Sequence, residues 1–157
     1  MTPEDPKGGL GPDLDFLREL WALDTALQKV SRRMQRTLGV SGPERLALRL
    51  IDRHPGVNPG RLARLLHLHP TTVSGLVKRL TLRGWIDRSW DGPDRRRAQL
   101  RITAEGLELL ARPTPTIEAA VARALQGLSS QRVGIALRVL ASLAMGLEVP
   151  DAGPPWP

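Results

Sequence analysis

Two prolines, eleven positions apart, do most to limit what this chain can fold into. Asn58-Pro59 and His69-Pro70 each put a proline where a helix can begin but cannot run on from upstream. At the first, Asn58 is the N-cap and Pro59 the first helical residue, and Val57 is placed to staple onto Leu62. The helix this opens is short, Pro59 to about Leu66. The device repeats at Leu68-His69-Pro70, where Leu68 staples onto Val73 and His69 serves as a poorer cap than Ser or Asn. The second helix runs from Pro70 to about Arg83 and ends at Gly84. A short helix, a tight turn and a second helix make a helix-turn-helix.

The flanks extend that unit. Trp85–Trp90 is β-favouring and partly alternating, Asp91-Gly92-Pro93-Asp94 is a turn cluster, and Ala98–Thr103 is a second short strand. Together they predict a hairpin, a wing, whose tip carries Arg95, Arg96 and Arg97. Upstream, a long helix is predicted from Asp13 to about Thr37. Phe16, Leu20, Leu23, Leu27, Val30 and Met34 recur along it at steps of four and three, Leu17 and Trp21 widen the stripe, and Gly39 fits a left-handed stop. The next helix starts in Ser41-Gly42-Pro43-Glu44. Ser41 and Glu44 have capping-box spacing, while Pro43 as first helical residue favours Gly42 as the cap. This helix should carry Leu46, Leu50 and Ile51 inward and stop at His54-Pro55-Gly56. After Thr103, Pro113 and Pro115 divide a helical stretch into Ala104–Ala111 and about Pro115–Leu128. A last helix, about Ser130–Leu147, repeats Val133, Leu137, Leu140, Ala144 and Leu147 at the same steps.

The predicted fold is therefore mainly α with a small β-hairpin wing. A winged helix-turn-helix head (41–103) is joined to a helical dimerisation region (13–40 and 104–147), with a disordered arm (1–12) and a flexible Pro-rich tail (148–157). The heptad-like stripes exceed what one small domain needs. Phe16, Leu20, Leu23, Leu27 and Val30 at one end, with Val133, Leu137, Leu140, Ala144 and Leu147 at the other, are the expected dimer contacts.

Charge points to the partner. Between Gly60 and Arg101 stand ten basic residues against three acids, which equals the whole net charge of +7; the remaining thirteen of each sign cancel. A basic excess confined to about a quarter of the chain fits a polyanion, and nucleic acid first. With no Tyr and one Phe, base-stacking RNA modules are disfavoured. The absence of Cys removes disulfide scaffolds, zinc clusters, iron–sulfur sites and thiol chemistry. His54, His67 and His69 form no good ligand set, so no metal is expected. No nucleophile–His–acid pattern, Gly-rich phosphate loop or paired carboxylate suggests an enzyme, and no catalytic residue or cofactor is assigned. Val139–Leu147, the longest strongly apolar stretch, falls below the ~18 residues of a membrane span. With no signal peptide evident, the expectation is a cytoplasmic protein.

At 100° per residue, the second helix of the motif has two faces. Val73, Leu76, Val77 and Leu80 fall together; Thr71, Gly75 and Lys78 lie opposite, flanked by Thr72, Ser74 and Arg79. The exposed face is small, hydroxylated and basic, with no acid. Such a face admits close approach to a major groove, with Lys or Arg within reach of guanine O6 and N7.

In these residues the sequence resembles the MarR-type winged helix-turn-helix regulators. The resemblance rests on Leu62-Ala63-Arg64-Leu65-Leu66, the run Pro70–Leu80, Arg83-Gly84-Trp85-Ile86-Asp87-Arg88, Asp94-Arg95-Arg96, and Leu100–Gly106, in that order. It implies that Arg96 enters a minor groove from the wing tip with Asp94 as its buttress, between Arg95 and Arg97. It implies also that the chain is a dimeric, sequence-specific regulator of transcription, a repressor of double-stranded, pseudo-palindromic DNA. His69, Thr71, Thr72, Ser74, Gly75, Lys78 and Arg79 would contact that DNA. A small effector, aromatic or anionic and of unknown identity, would relieve repression, with Trp21 and the stretch Arg45–Arg49 near its site. The alternative is a winged-helix module used for architecture or protein contact, without an effector. Three departures from the family stand out: Gly75 where a larger polar or basic residue is common, His69 in place of the usual Ser-like cap, and the Pro113–Pro115 break in a helix that is usually long.

Overall fold

The computed structural model describes residues 11–90, 98–113 and 115–147. The expected arm and tail lie almost wholly outside these residues. Seven helices and one hairpin are seen within them: α1 (Pro12–Leu38), α2 (Gly42–Arg53), α3 (Pro59–Leu66), α4 (Pro70–Leu82), β1 (Ile86–Trp90), β2 (Ala98–Ile102), α5 (Ala104–Ala111), α6 (Ile117–Leu125) and α7 (Ser130–Leu147). The chain is mainly α with a small β-hairpin, a winged helix-turn-helix. Compactness divides it after Ile117.

The first unit has the core. Val40, Ala47, Leu48, Ile51, Leu62, Val73, Leu76, Leu80, Ile86 and Leu100 are shut from water, so α2, α3, α4 and both strands meet around one apolar centre. Local chemistry fixes the elements on it. Pro59 and Pro70 stand at their helix starts, and Asn58 Oδ1 accepts from the Arg61 N–H at 2.8 Å. Val57 is buried with Leu62, and its carbonyl accepts from the Leu100 N–H at 2.9 Å, which ties the start of the helix-turn-helix to the wing. The strands pair antiparallel from Ile86↔Ile102 to Trp90↔Ala98.

The structure settles the start of α2 in favour of Ser41. Its hydroxyl accepts from the Glu44 N–H while the Glu44 carboxylate accepts from the Ser41 N–H, a complete capping box. Pro43 is accommodated in the first turn. One expected core residue is wrong: Leu46 is 47% exposed, whereas Ala47, Leu48 and Ile51 are buried. Leu46 lies on the far side of the helix from Leu48 and Ile51, and its neighbour Arg45 is buried instead.

The head also draws on more chain than 41–103. The end of α1 enters it through Met34 and Leu38, and α5 through Leu109 and Leu110. Val30, expected as a dimer contact, packs against that same core. The stripe therefore serves two purposes along its length, core at the C-terminal end and exposed apolar surface at Phe16, Leu23 and Leu27. In the second unit, which begins at Glu118, no described residue is buried. Leu137, Leu140 and Leu147 are exposed on α7. Among the described residues no helix is long and apolar enough to cross a membrane.

Candidate nucleic-acid interface

Helix α4 divides as its sequence requires. Val73, Leu76, Val77 and Leu80 are each at most 3% exposed. Thr71, Thr72, Ser74, Lys78 and Arg79 are exposed and Gly75 half-buried. Five of the side chains expected to meet DNA thus share one helix, and burial of the opposite face fixes the rotation that leaves them exposed.

His69 works as the cap that sequence ranks low. Its backbone is extended, its Nδ1 accepts from the Thr71 N–H at 3.3 Å, and the same nitrogen lies 2.7 Å from the Thr71 hydroxyl. That contact ties the imidazole to the first turn of the helix. Upstream, Arg61 and Arg64 on α3 are exposed. His67 closes α3 in the left-handed region with φ 52°, a conformation uncommon for a residue with a side chain.

Two cations near the end of α4 reach across to the α1–α2 joint. Arg79 Nε donates to Glu44 Oε1 at 2.9 Å. Arg83 Nη1 donates to the Gly39 carbonyl, and its guanidinium lies 5.0 Å from the centre of the Trp85 ring. Glu44 is 5% exposed. Burial by itself would raise its carboxyl, but hydrogen bonds from the Ser41 backbone, from Arg79 and from the Ser41 hydroxyl, with the charge of Arg79, hold it below the ordinary value of 4.5. On the wing, Arg88 stands over the Trp90 ring at 5.3 Å. Asp94, Arg95, Arg96 and Arg97 lie outside the described residues.

Sequence reasoning missed three residues that shape this surface. Glu44 was legible as a cap but not as an anchor for Arg79. Arg83 gave no sign of its contact with Gly39, 44 positions away. Arg45, placed near an effector site by resemblance, is 2% exposed and donates to the Leu109 and Leu110 carbonyls, at 2.9 Å each.

Comparison with known proteins agrees with this geometry. The family model described as MarR family matches residues 38–97, a stretch that begins at the end of α1 and contains α2, α3, α4 and β1. Over that stretch the head of the chain is similar to the MarR family. Solved structures extend the likeness beyond the head. CouR from Rhodococcus jostii RHA1, bound to p-coumaroyl-CoA, is 26% identical, with 92% of this chain and all of that one covered at a TM-score of 0.70. The MepR–DNA complex of S. aureus is 19% identical, covering 86% and 98% at 0.66. PcaV from Streptomyces coelicolor, in complex with its natural ligand, is 23% identical, covering 94% and 100% at 0.65. Among curated proteins none matches the chain in sequence. Its fold is that of MarR-family transcriptional regulators.

Proposed function

We propose that this chain is a MarR-family regulator, a homodimeric transcriptional repressor that binds a pseudo-palindromic operator and is released from it by a small ligand. The observation that carries the reading is the exposed face of α4, with hydroxyls and cations around Gly75 and no acid, held outward by a buried apolar face. Thr71, Thr72, Ser74, Lys78 and Arg79 would enter the major groove, and His69 would stand at its edge. Asp94, Arg95, Arg96 and Arg97 join the interface on their charge and on the sequence resemblance, with Arg96 drawn to a narrow minor groove. A dimer would place two such helices on successive faces of a duplex, one helical turn or a multiple apart. The fold likeness to a DNA complex and to ligand-bound regulators supports both halves of the reading.

The test starts from a pool of random duplexes. The protein is expected to enrich an inverted repeat and to bind it with a Kd of about 10⁻⁸ M or tighter at physiological salt. Aromatic acids and their acyl thioesters are then titrated against the complex, and at least one should lower the affinity. Absence of any enriched sequence rejects sequence-specific binding. Enrichment with no response across the ligand series favours a winged helix that works without an effector.

A further inference from the structure

An arrangement that joins α4 to the start of α2 bears on which residue of α4 reads sequence. Gly75 lies in the middle of the exposed face and offers no side chain to a base. Arg79, one turn further on, fills the gap. Its Nη1 lies 3.6 Å from where a Cβ on Gly75 would be, so the guanidinium folds back along the helix across the bare glycine. It is held there at the other side of the group, where Nε donates to Glu44 Oε1 at 2.9 Å.

Glu44 is an unusually fixed partner. Its second oxygen, Oε2, accepts from the Ser41 N–H at 2.9 Å and lies 3.0 Å from the Ser41 hydroxyl. The carboxylate is buried at the start of α2, so it cannot swing with the solvent as a surface acid would. An ordinary exposed ion pair is mobile and contributes little. Here one partner is rigid, and the Arg79 side chain remains 57% exposed. With Nε engaged by Glu44, the two terminal nitrogens remain for another partner. That pair matches the spacing of guanine O6 and N7, and a pre-oriented fork loses little freedom on binding.

We infer that Arg79, steered by Glu44 across the bare Gly75, is a specificity-determining residue that reads a guanine in the major groove. Glu44 is its positioning residue. The inference rests on the DNA-binding reading above and adds the base that one side chain selects. It also gives a use to the glycine at a position where a larger polar residue is common in the family that the sequence resembles: a Cβ there would already touch the guanidinium at 3.6 Å, and a longer side chain would compete with it for the same face.

The experiment compares the full-length wild type with Arg79→Met and Glu44→Gln, each selected against the same random-duplex pool and then titrated on the wild-type consensus. Thermal unfolding identifies any variant that fails to fold. If Arg79→Met does, Glu44→Gln, which keeps the guanidinium and a capping-box side chain, carries the test. The wild type should enrich a guanine at one fixed position in each half-site. Arg79→Met should lose that preference alone, bind the consensus about tenfold more weakly or worse, and match the wild type on a duplex with that G·C pair changed to A·T. Glu44→Gln should reduce the guanine preference severalfold, a position-specific change that loss of stability would not produce. Retention of the guanine by both variants overturns the inference. So does equal weakening on every duplex with a shallower salt dependence, the mark of a phosphate contact. A wild type that enriches nothing instead rejects the DNA-binding reading on which the inference stands.

Discussion

Gly106 shows how little room a single residue can have. It lies in the first turn of α5, where Thr103 Oγ1 accepts from its N–H at 3.1 Å. A Cβ there would run into the Trp85 carbonyl oxygen and stand 2.7 Å from Ile102 Cγ1. The Trp85 carbonyl cannot readily give way, because it accepts from the Thr103 N–H at 3.1 Å and that bond joins the wing to α5. Gly106→Ala should therefore destabilise the head by about 1–3 kcal/mol through overpacking. On helix propensity alone the same change would add about 1 kcal/mol of stability. Urea unfolding separates the two, and an unchanged or raised midpoint rejects the close approach. Glu44 makes a second prediction at this scale. Its carboxyl is lowered in the folded state, so its contribution is present above the unfolded value of 4.5 and is lost as pH falls through the lower folded value. Glu44→Gln cannot titrate there. Between pH 5 and pH 2 its melting temperature should fall less steeply than that of the wild type, and parallel acid limbs would count against the Ser41–Glu44–Arg79 arrangement.

At the scale of elements, α5 depends on a residue from another helix. The last carbonyls of a helix lack partners within it. On α5 those of Leu109 and Leu110 accept from the buried Arg45 of α2, and Leu110 also from Arg49 Nη2 at 3.2 Å. The positive fork also meets the negative end of the helix dipole. Arg45→Met keeps the apolar stem and removes the donors, and should cost about 2–3 kcal/mol measured by urea unfolding. A loss under 0.5 kcal/mol would show that water replaces the guanidinium. This contact also marks where sequence reading stops. Asn58-Pro59, His69-Pro70 and the Ser41…Glu44 spacing act over a few residues, and each helix start they predict is found. The two faces of α4 were legible for the same reason, since a helical period converts spacing directly into direction. Arg45 on Leu109 spans 64 positions, and no local pattern distinguishes an arginine that turns inward to cap a distant helix from one that stays in water. Leu46 was misplaced by the same blindness, because its neighbour, that arginine, is buried instead. Arg79 was legible as a basic residue on the right face, and its tie to Glu44 was not.

At the scale of the whole molecule, the two units differ in how they can be stable. The first closes around its own core. In the second, α6 and α7 contain no buried residue, although Leu137 (63% exposed), Leu140 (46%) and Leu147 are apolar. Helices of nine and eighteen residues gain too little from propensity to persist in water without packing an apolar face. The exposed apolar residues at the start of α1, among them Phe16, Leu23 and Leu27, present the same need. A second copy of the chain would meet both demands at once through heptad-spaced contacts. The wild type should therefore sediment at twice the monomer mass of 17.2 kDa at micromolar concentration. Leu27→Asp combined with Leu140→Asp is the variant that isolates the interface. Both residues are already at the surface of the single chain, so two new charges there cost the core of the first unit little. Placed between two copies, the same charges would be buried unpaired, at several kcal/mol. The variant should sediment as a monomer or aggregate, lose part of its helical circular dichroism as α6 and α7 lose their cover, and bind an inverted repeat no better than a single half-site. A wild type that sediments as a folded monomer at micromolar concentration, with its full helical signal, would reject the dimer and with it the need for a two-fold operator.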